Sequence, residues 1–289
     1  MANLTVISAS KNKSTSLGDS KFLLKDKNLH LSLETREDLI AACLLDKDSN
    51  RYLAFAIYQP KHEEDYQAFL QRIMKEEMFD IPTSSISVVF CQNSSMLVPS
   101  GFFKKESVSD YLKTQNLLKP RETPFYDYIK NLDSYNLYAV NFNLLSLLES
   151  TYTKATFRHH SSIFIEYLLM LNKGSKEDEV HVYVFSGYMD LVVLRSGKLI
   201  LYNRFAYQTA SDFTYYLIWV YEQLKLNNEK TKCIFYGEID EKSDIYKTAE
   251  KYISNTGKSG KNSRFTYNPM LESLAPHRFY SLFMQYLCI

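Results

Sequence analysis

The side chains able to do chemistry are few and scattered along this chain. Gly257-Lys258-Ser259 spells the end of a phosphate-binding loop. That motif also needs a glycine five positions ahead of the Gly-Lys pair, so that backbone amides can wrap a phosphate, and position 252 holds Tyr252. The match is therefore rejected. His159 and His160 adjoin each other ahead of an apolar helical stretch, and His277 stands ahead of another. A metal would need a third ligand converging on the same point, so packing and hydrogen bonding at a helix entry is the expected role and no metal site is expected. Cys43, Cys91, Cys233 and Cys288 lie far apart, three of them in apolar runs, as buried reduced thiols do. Neither a serine nucleophile elbow nor a catalytic Cys/His signature occurs.

Bulk properties narrow the function classes. Lys and Arg number 34 against 33 Asp and Glu, a net charge of +1 with the signs interleaved. That gives no electrostatic footprint for nucleic acid or an anionic membrane surface. The 23 tyrosines and 18 phenylalanines could stack on bases only beside basic stripes, so they are expected in cores and interfaces. No apolar run approaches the roughly 20 residues needed to cross a bilayer, and the short apolar stretch 4–7 is too small for a secretory core. A cytoplasmic protein with no membrane span is expected, with residues 1–20, rich in Ser, Lys and Asn, as a disordered tail.

The elements that must position any site follow a pattern that occurs twice. Residues 29–33, 39–45 and 52–58 read as three strands. Tyr66, Phe69, Leu70, Ile73 and Met74 then share one face of a helix, and 85–91 is a fourth strand. From 180 the order recurs: strands at 180–185, 191–194 and 199–205, a helix opened by a Thr209–Asp212 capping box, and a strand at 233–236. Each half carries a tail. In the first, 124–132 is expected to be helical, 137–140 a strand, and the stretches from 144 and 163 helices. In the second, 244–253 is expected to be a helix, 255–263 a polar loop, 265–267 a short strand, and the apolar spacing from Phe279 to Leu287 a final helix that docks. The boundaries this implies are 21–175 and 176–289.

Three antiparallel strands, a crossover helix and further strand and helix units, present twice, resemble the actin-like ATPase superfamily. The stretch from His181 to Leu194 is similar to its second phosphate turn. The continuation from Gly197 to Phe205 and on to Asp212-Phe213 resembles pilus-assembly and type II secretion members. The chain from about Phe22 is also similar to an uncharacterised bacterial family of unknown function with this fold. The resemblance implies an α/β chain with a duplicated ribonuclease H-like fold, each half a mixed five-stranded sheet with flanking helices. It also implies where a nucleotide would be gripped: Glu34 in the first turn, Ser186, Gly187 and Asp190 around the second, and Gly237 near the adenosine region.

Working members of that superfamily carry an Asp at the end of the first strand of each half to hold a metal or its waters, followed by glycines that let backbone amides approach phosphate. Here the first turn, 32–38, has no glycine. Glu34 could ligate a cation and Arg36 could meet an anion, but an exposed charged hairpin turn is the plainer expectation. The second turn has Phe185 where the superfamily has Asp and keeps one glycine, Gly187. At Gly237 a plain strand-end turn is expected. The resulting expectation is a non-catalytic scaffold or adaptor with no cofactor, acting on an unidentified protein partner. The alternatives are a switch that binds ATP with magnesium but hydrolyses it weakly or not at all, and a metal-dependent nuclease of the ribonuclease H type, for which the first strands offer only Glu34.

Overall fold

In a computed structural model, residues 27–92, 94–272, 274–275 and 277–288 are described; the tail expected over 1–20 lies outside them. The chain divides into two compact units. The first comprises Met1–Phe164, Asn262–Leu274 and Ser281–Ile289, and the second Ile165–Lys261 and Ala275–Tyr280. The division falls ten residues or so before the 175/176 boundary drawn from sequence. It also returns two C-terminal stretches to the first unit, which a linear reading of two consecutive halves has no means of assigning.

In the first unit, β1 (Leu29–Thr35) pairs antiparallel with β2 (Ile40–Asp46), and β2 with β3 (Arg51–Tyr58). After α1 (Tyr66–Ile73), the strand β4 (Ser85–Phe90) returns parallel to β1. Phe69, Leu70 and Ile73 of α1 are buried in the same core as Leu29, Leu31 and Leu33 of β1, which is why the apolar stripe of that helix was legible. Next comes a separate antiparallel sheet of β5 (Ser95–Pro99), β6 (Glu122–Ile129) and β7 (Ser134–Asn141), with α2 (Val108–Thr114) packed on it and α3 (Phe142–Thr151) following. The stretch 124–132, expected to be helical, is instead the strand β6 followed by a 3-10 turn. Pro124 is tolerated because β6 is an edge strand, where a missing backbone donor breaks no ladder. β8 (Thr156–His159) then joins β4 in parallel and leads into α4 (His160–Leu171).

The second unit repeats the arrangement. β9 (Asp178–Phe185), β10 (Tyr188–Arg195) and β11 (Lys198–Ala206) form an antiparallel trio. α5 (Ala210–Gln223) crosses over, its N-terminus closed by the expected capping box of Thr209 and Asp212. β12 (Lys232–Gly237) returns parallel to β9, and after α6 (Asp244–Glu250), β13 (Thr256–Lys258) adds in parallel to β12. The strand orders are β14-β3-β2-β1-β4-β8 and β11-β10-β9-β12-β13. The same five-strand order thus occurs twice, with one addition: β14 (Thr266–Tyr267), late in the sequence, extends the first sheet beside β3. The chain ends in α7 (Tyr280–Met284) and a 3-10 turn over Gln285–Cys288.

That C-terminal stretch completes the polar wiring of the first sheet. Tyr52 donates its hydroxyl to the Phe283 carbonyl, and buried Gln285 donates to Leu33 O at 3.3 Å. The Ser87 hydroxyl donates to Gln285 Oε1 at 2.6 Å, so toward His30 Nε2, 2.8 Å away, it can only accept. His30 therefore carries its proton on Nε2 and accepts from Ser85 at Nδ1, 2.8 Å away. Burial, with a smaller contribution from Lys47, lowers the His30 pKa to about 4. The neutral ring is the folded form, so the linked stability is complete above the unfolded value near 6.5 and is lost as pH falls toward 4. The loss amounts to about 3 kcal/mol across that window. Urea unfolding followed by circular dichroism between pH 7 and pH 4 checks this: the wild type should lose more stability than His30→Gln over that range, and parallel losses would contradict the assignment.

Candidate functional site

The β9–β10 turn is a two-residue hairpin. Phe185 pairs with Tyr188, and Ser186 and Gly187 stand exposed between them. Gly187 adopts φ +82 with open space where a side chain would begin, a conformation that suits glycine. The strand end beside it is aromatic. Phe185 is buried, with its ring centroid 4.8 Å from Tyr183 and 4.7 Å from Tyr188. Its carbonyl accepts from the Tyr207 hydroxyl at 2.6 Å.

Asp190 lies three residues into β10 from the turn's end, fully buried. Both of its oxygens are taken by Arg204 on β11: Nε to Oδ1 at 2.6 Å and Nη2 to Oδ2 at 2.7 Å. The guanidinium also lies 4.2 Å from the Tyr188 ring centroid. Burial alone would lower the Arg204 pKa, but the Asp190 charge and its hydrogen bonds outweigh it, and the group is held above its ordinary value. A bidentate pair of this kind is among the strongest polar contacts a protein makes.

The first turn differs from its expectation. Glu34 and Thr35 still belong to β1, and the turn itself spans 36–39, closed by Arg36 N donating to Leu39 O at 2.9 Å. Glu37 and Asp38 are exposed as expected, whereas Glu34 and Arg36 are buried and paired with each other, Nε to Oε1 at 2.7 Å. Arg36, the first residue after β1, folds back on Glu34 so that the two charges neutralise each other. Gly237 ends β12 at φ +81, and a Cβ there would lie 2.1 Å from Val184 O. The glycine is needed for close approach of β12 to β9, with its amide donating to His277 O at 2.7 Å.

The structure thus brings Ser186, Gly187 and Asp190 to one hairpin and Gly237 to the adjacent strand end. The decisive partners, Arg204 and Arg36, were not paired with these acids in the sequence reading. Hairpin register was the available signal for Arg204: counting back from the Ser196-Gly197 turn sets Asp190 opposite Asn203. A bulge between Val193 and Leu194 shifts the pairing by one residue, to Arg204. The histidines take the helix-entry roles expected of them: His160 Nδ1 lies 2.6 Å from Ser281 Oγ, and His277 Nε2 donates to Ile239 O at 2.9 Å. Among the described residues no group of three or more His, Cys, Asp or Glu could hold a metal ion. Among the same residues no helix is long and apolar enough to cross a membrane.

Comparison with known proteins agrees with this architecture. The profile of a family described as "Protein of unknown function (DUF3822)" matches residues 19–256. No curated protein matches the chain. A Bacteroides thetaiotaomicron protein with an actin-like ATPase fold and unknown function superposes at TM-score 0.74 with 17% identity, over 81% of this chain and 92% of its own. The PilM–PilN type IV pilus biogenesis complex gives 0.57 at 12% identity, over 89% of this chain and 98% of the matched one. The cytoplasmic domain of EpsL from the type II secretion system of Vibrio cholerae gives 0.42 at 10% identity, over 90% and 94%. The first of these shows the fold to be that of the actin-like ATPases.

Because both Asp190 oxygens are engaged by a buried guanidinium, Asp190→Asn leaves that charge without its neutralising partner. The expected cost is about 3–5 kcal/mol. Chemical denaturation of wild type and variant measures it, and a loss under about 1 kcal/mol would mean that the pair behaves like a solvent-exposed one.

Proposed function

Since the chain belongs to the DUF3822 family and carries the actin-like ATPase fold, we propose that it is a non-catalytic scaffold or adaptor that acts by holding another protein. The observation that carries this reading is the bidentate Asp190–Arg204 pair beside Phe185. Phosphate transfer depends on carboxylates that present a divalent cation to the phosphate oxygens. Here the turn's carboxylate is spent on an internal arginine, the strand end carries an aromatic ring, and Glu34 is likewise spent on Arg36.

Two further features favour a protein partner. The structural relative PilM is known in complex with PilN, so this fold does support protein assembly. Tyr215 and Trp219 on α5 and Tyr252, just past the end of α6, are exposed together around one groove, and aromatic residues of this kind are the common anchors of protein interfaces.

A second reading, an ATP-dependent switch, is favoured by the open backbone at Gly187, which a phosphate could approach. One experiment separates the two. Tagged chain is recovered from its native cell by affinity purification, with and without added magnesium and ATP, and the co-purifying proteins are identified. The adaptor reading expects the same partner in both samples, retained less by Trp219→Ala. A partner set that changes with ATP supports the switch, and an absence of any specific partner contradicts the adaptor reading.

A further inference from the structure

A cavity of about 360 Å3 opens in the first unit beside the first turn, whose Glu37 lines it. It lies past the carboxyl ends of the parallel strands β1, β4 and β8, where it is lined by Glu37, Gln92 and His159. Ligands of open α/β sheets gather at such ends. Its floor is apolar: Phe90, Val140 and Leu144 are each no more than 2% exposed. Its rim carries both signs of charge. Lys119 and Glu122 belong to one tight turn, in which Lys119 N donates to Glu122 Oε2 at 2.7 Å and Glu122 N to Lys119 O at 3.2 Å. Glu37 adds a second carboxylate.

The walls are fixed before any ligand arrives. Thr35 donates to Gln92 Oε1 at 3.2 Å, Gln92 Nε2 donates to the Tyr66 hydroxyl at 3.2 Å, and that hydroxyl donates to Arg36 O at 3.3 Å. His159 is buried, and its Nδ1 accepts from Ser161 N at 3.1 Å, which sets the tautomer. Ser161 Oγ is held in turn by Asn136 Nδ2 at 2.8 Å. The His159 backbone amide is anchored on buried Asp127 at 2.7 Å. A preformed apolar hollow with a few convergent polar groups is the usual form of a small-molecule site.

We infer that this cavity binds a free apolar α-amino acid. The apolar side chain lies on Phe90, Val140 and Leu144, the ammonium faces Glu37 and Glu122, and the carboxylate faces Lys119. A simple anion would meet two carboxylates, and a simple cation would meet the lysine, so a zwitterion is the charge type that satisfies the whole rim. This inference stands apart from the adaptor reading: it shares Glu37 with the first turn but uses neither Glu34, the second turn nor the α5–α6 groove.

The test is calorimetric titration of the full chain, with a thermal unfolding scan alongside. The probes are L-phenylalanine and L-leucine, with N-acetyl-L-phenylalanine and L-phenylalaninamide as the versions lacking one charge. At least one free amino acid is expected to bind saturably and raise the unfolding temperature. Each blocked form should bind about tenfold more weakly or worse, as the loss of one charged contact implies. Leu144→Trp, which fills the floor, should abolish binding. Lys119→Ala, a surface change that leaves the core intact, should weaken the free amino acid while leaving the amide unaffected, so a misfolded Leu144→Trp would not remove the test. No binding by either free amino acid, equal binding by the blocked forms, or undiminished binding by Lys119→Ala would overturn the inference.

Discussion

A carboxylate without access to water must be matched by a partner of opposite charge, and in the second unit that requirement binds Asp190 to Arg204. Leaving either ion alone in the interior would cost several kcal/mol, so the pair fixes β10 against β11 next to the hairpin. The guanidinium lies over Tyr188, which stacks on Phe185, which stacks on Tyr183. The strand end that could have presented a metal ligand is thereby built into an aromatic and ionic pack.

The first unit reaches a similar end by a shorter route. Glu34 in β1 and Arg36, the first residue after it, neutralise each other. Elsewhere in that sheet His30 and Ser87 are wired into a relay that runs from Ser85 to Gln285. The two units share a strand order and differ in how they satisfy buried polarity. Strand order follows from the period of apolar residues and the crossover helix, which a duplicated sequence would keep. Polar pairing depends on single positions and diverges freely.

That distinction explains what the sequence disclosed. The strands of both sheets, the helix carrying Phe69, Leu70 and Ile73, and the Thr209–Asp212 cap were readable because each depends on local spacing. The strand β6 was misread as a helix because an isolated stretch with Pro124 gives no sign that it lies at a sheet edge. The short strand β14 was readable as a strand but not as a neighbour of β3, far away in sequence. At the candidate site, Ser186, Gly187 and Phe185 were legible from the turn itself. The Asp190–Arg204 pairing was not, because a single bulge at Val193 and Leu194 moves the register by one residue. The burial of Glu34 was hidden in the same way, since the turn begins two residues later than its charges suggested.

We propose that neither Glu34 nor Asp190 presents a cation to a nucleotide while it is bound to its arginine. Titration of the purified chain with manganese and ATP, followed by proton relaxation enhancement, tests it directly, because a protein-held manganese–nucleotide complex changes the relaxation of water. The account predicts no enhancement beyond that of manganese and ATP in buffer alone. A saturable enhancement that disappears when Glu34 or Asp190 is replaced would contradict it.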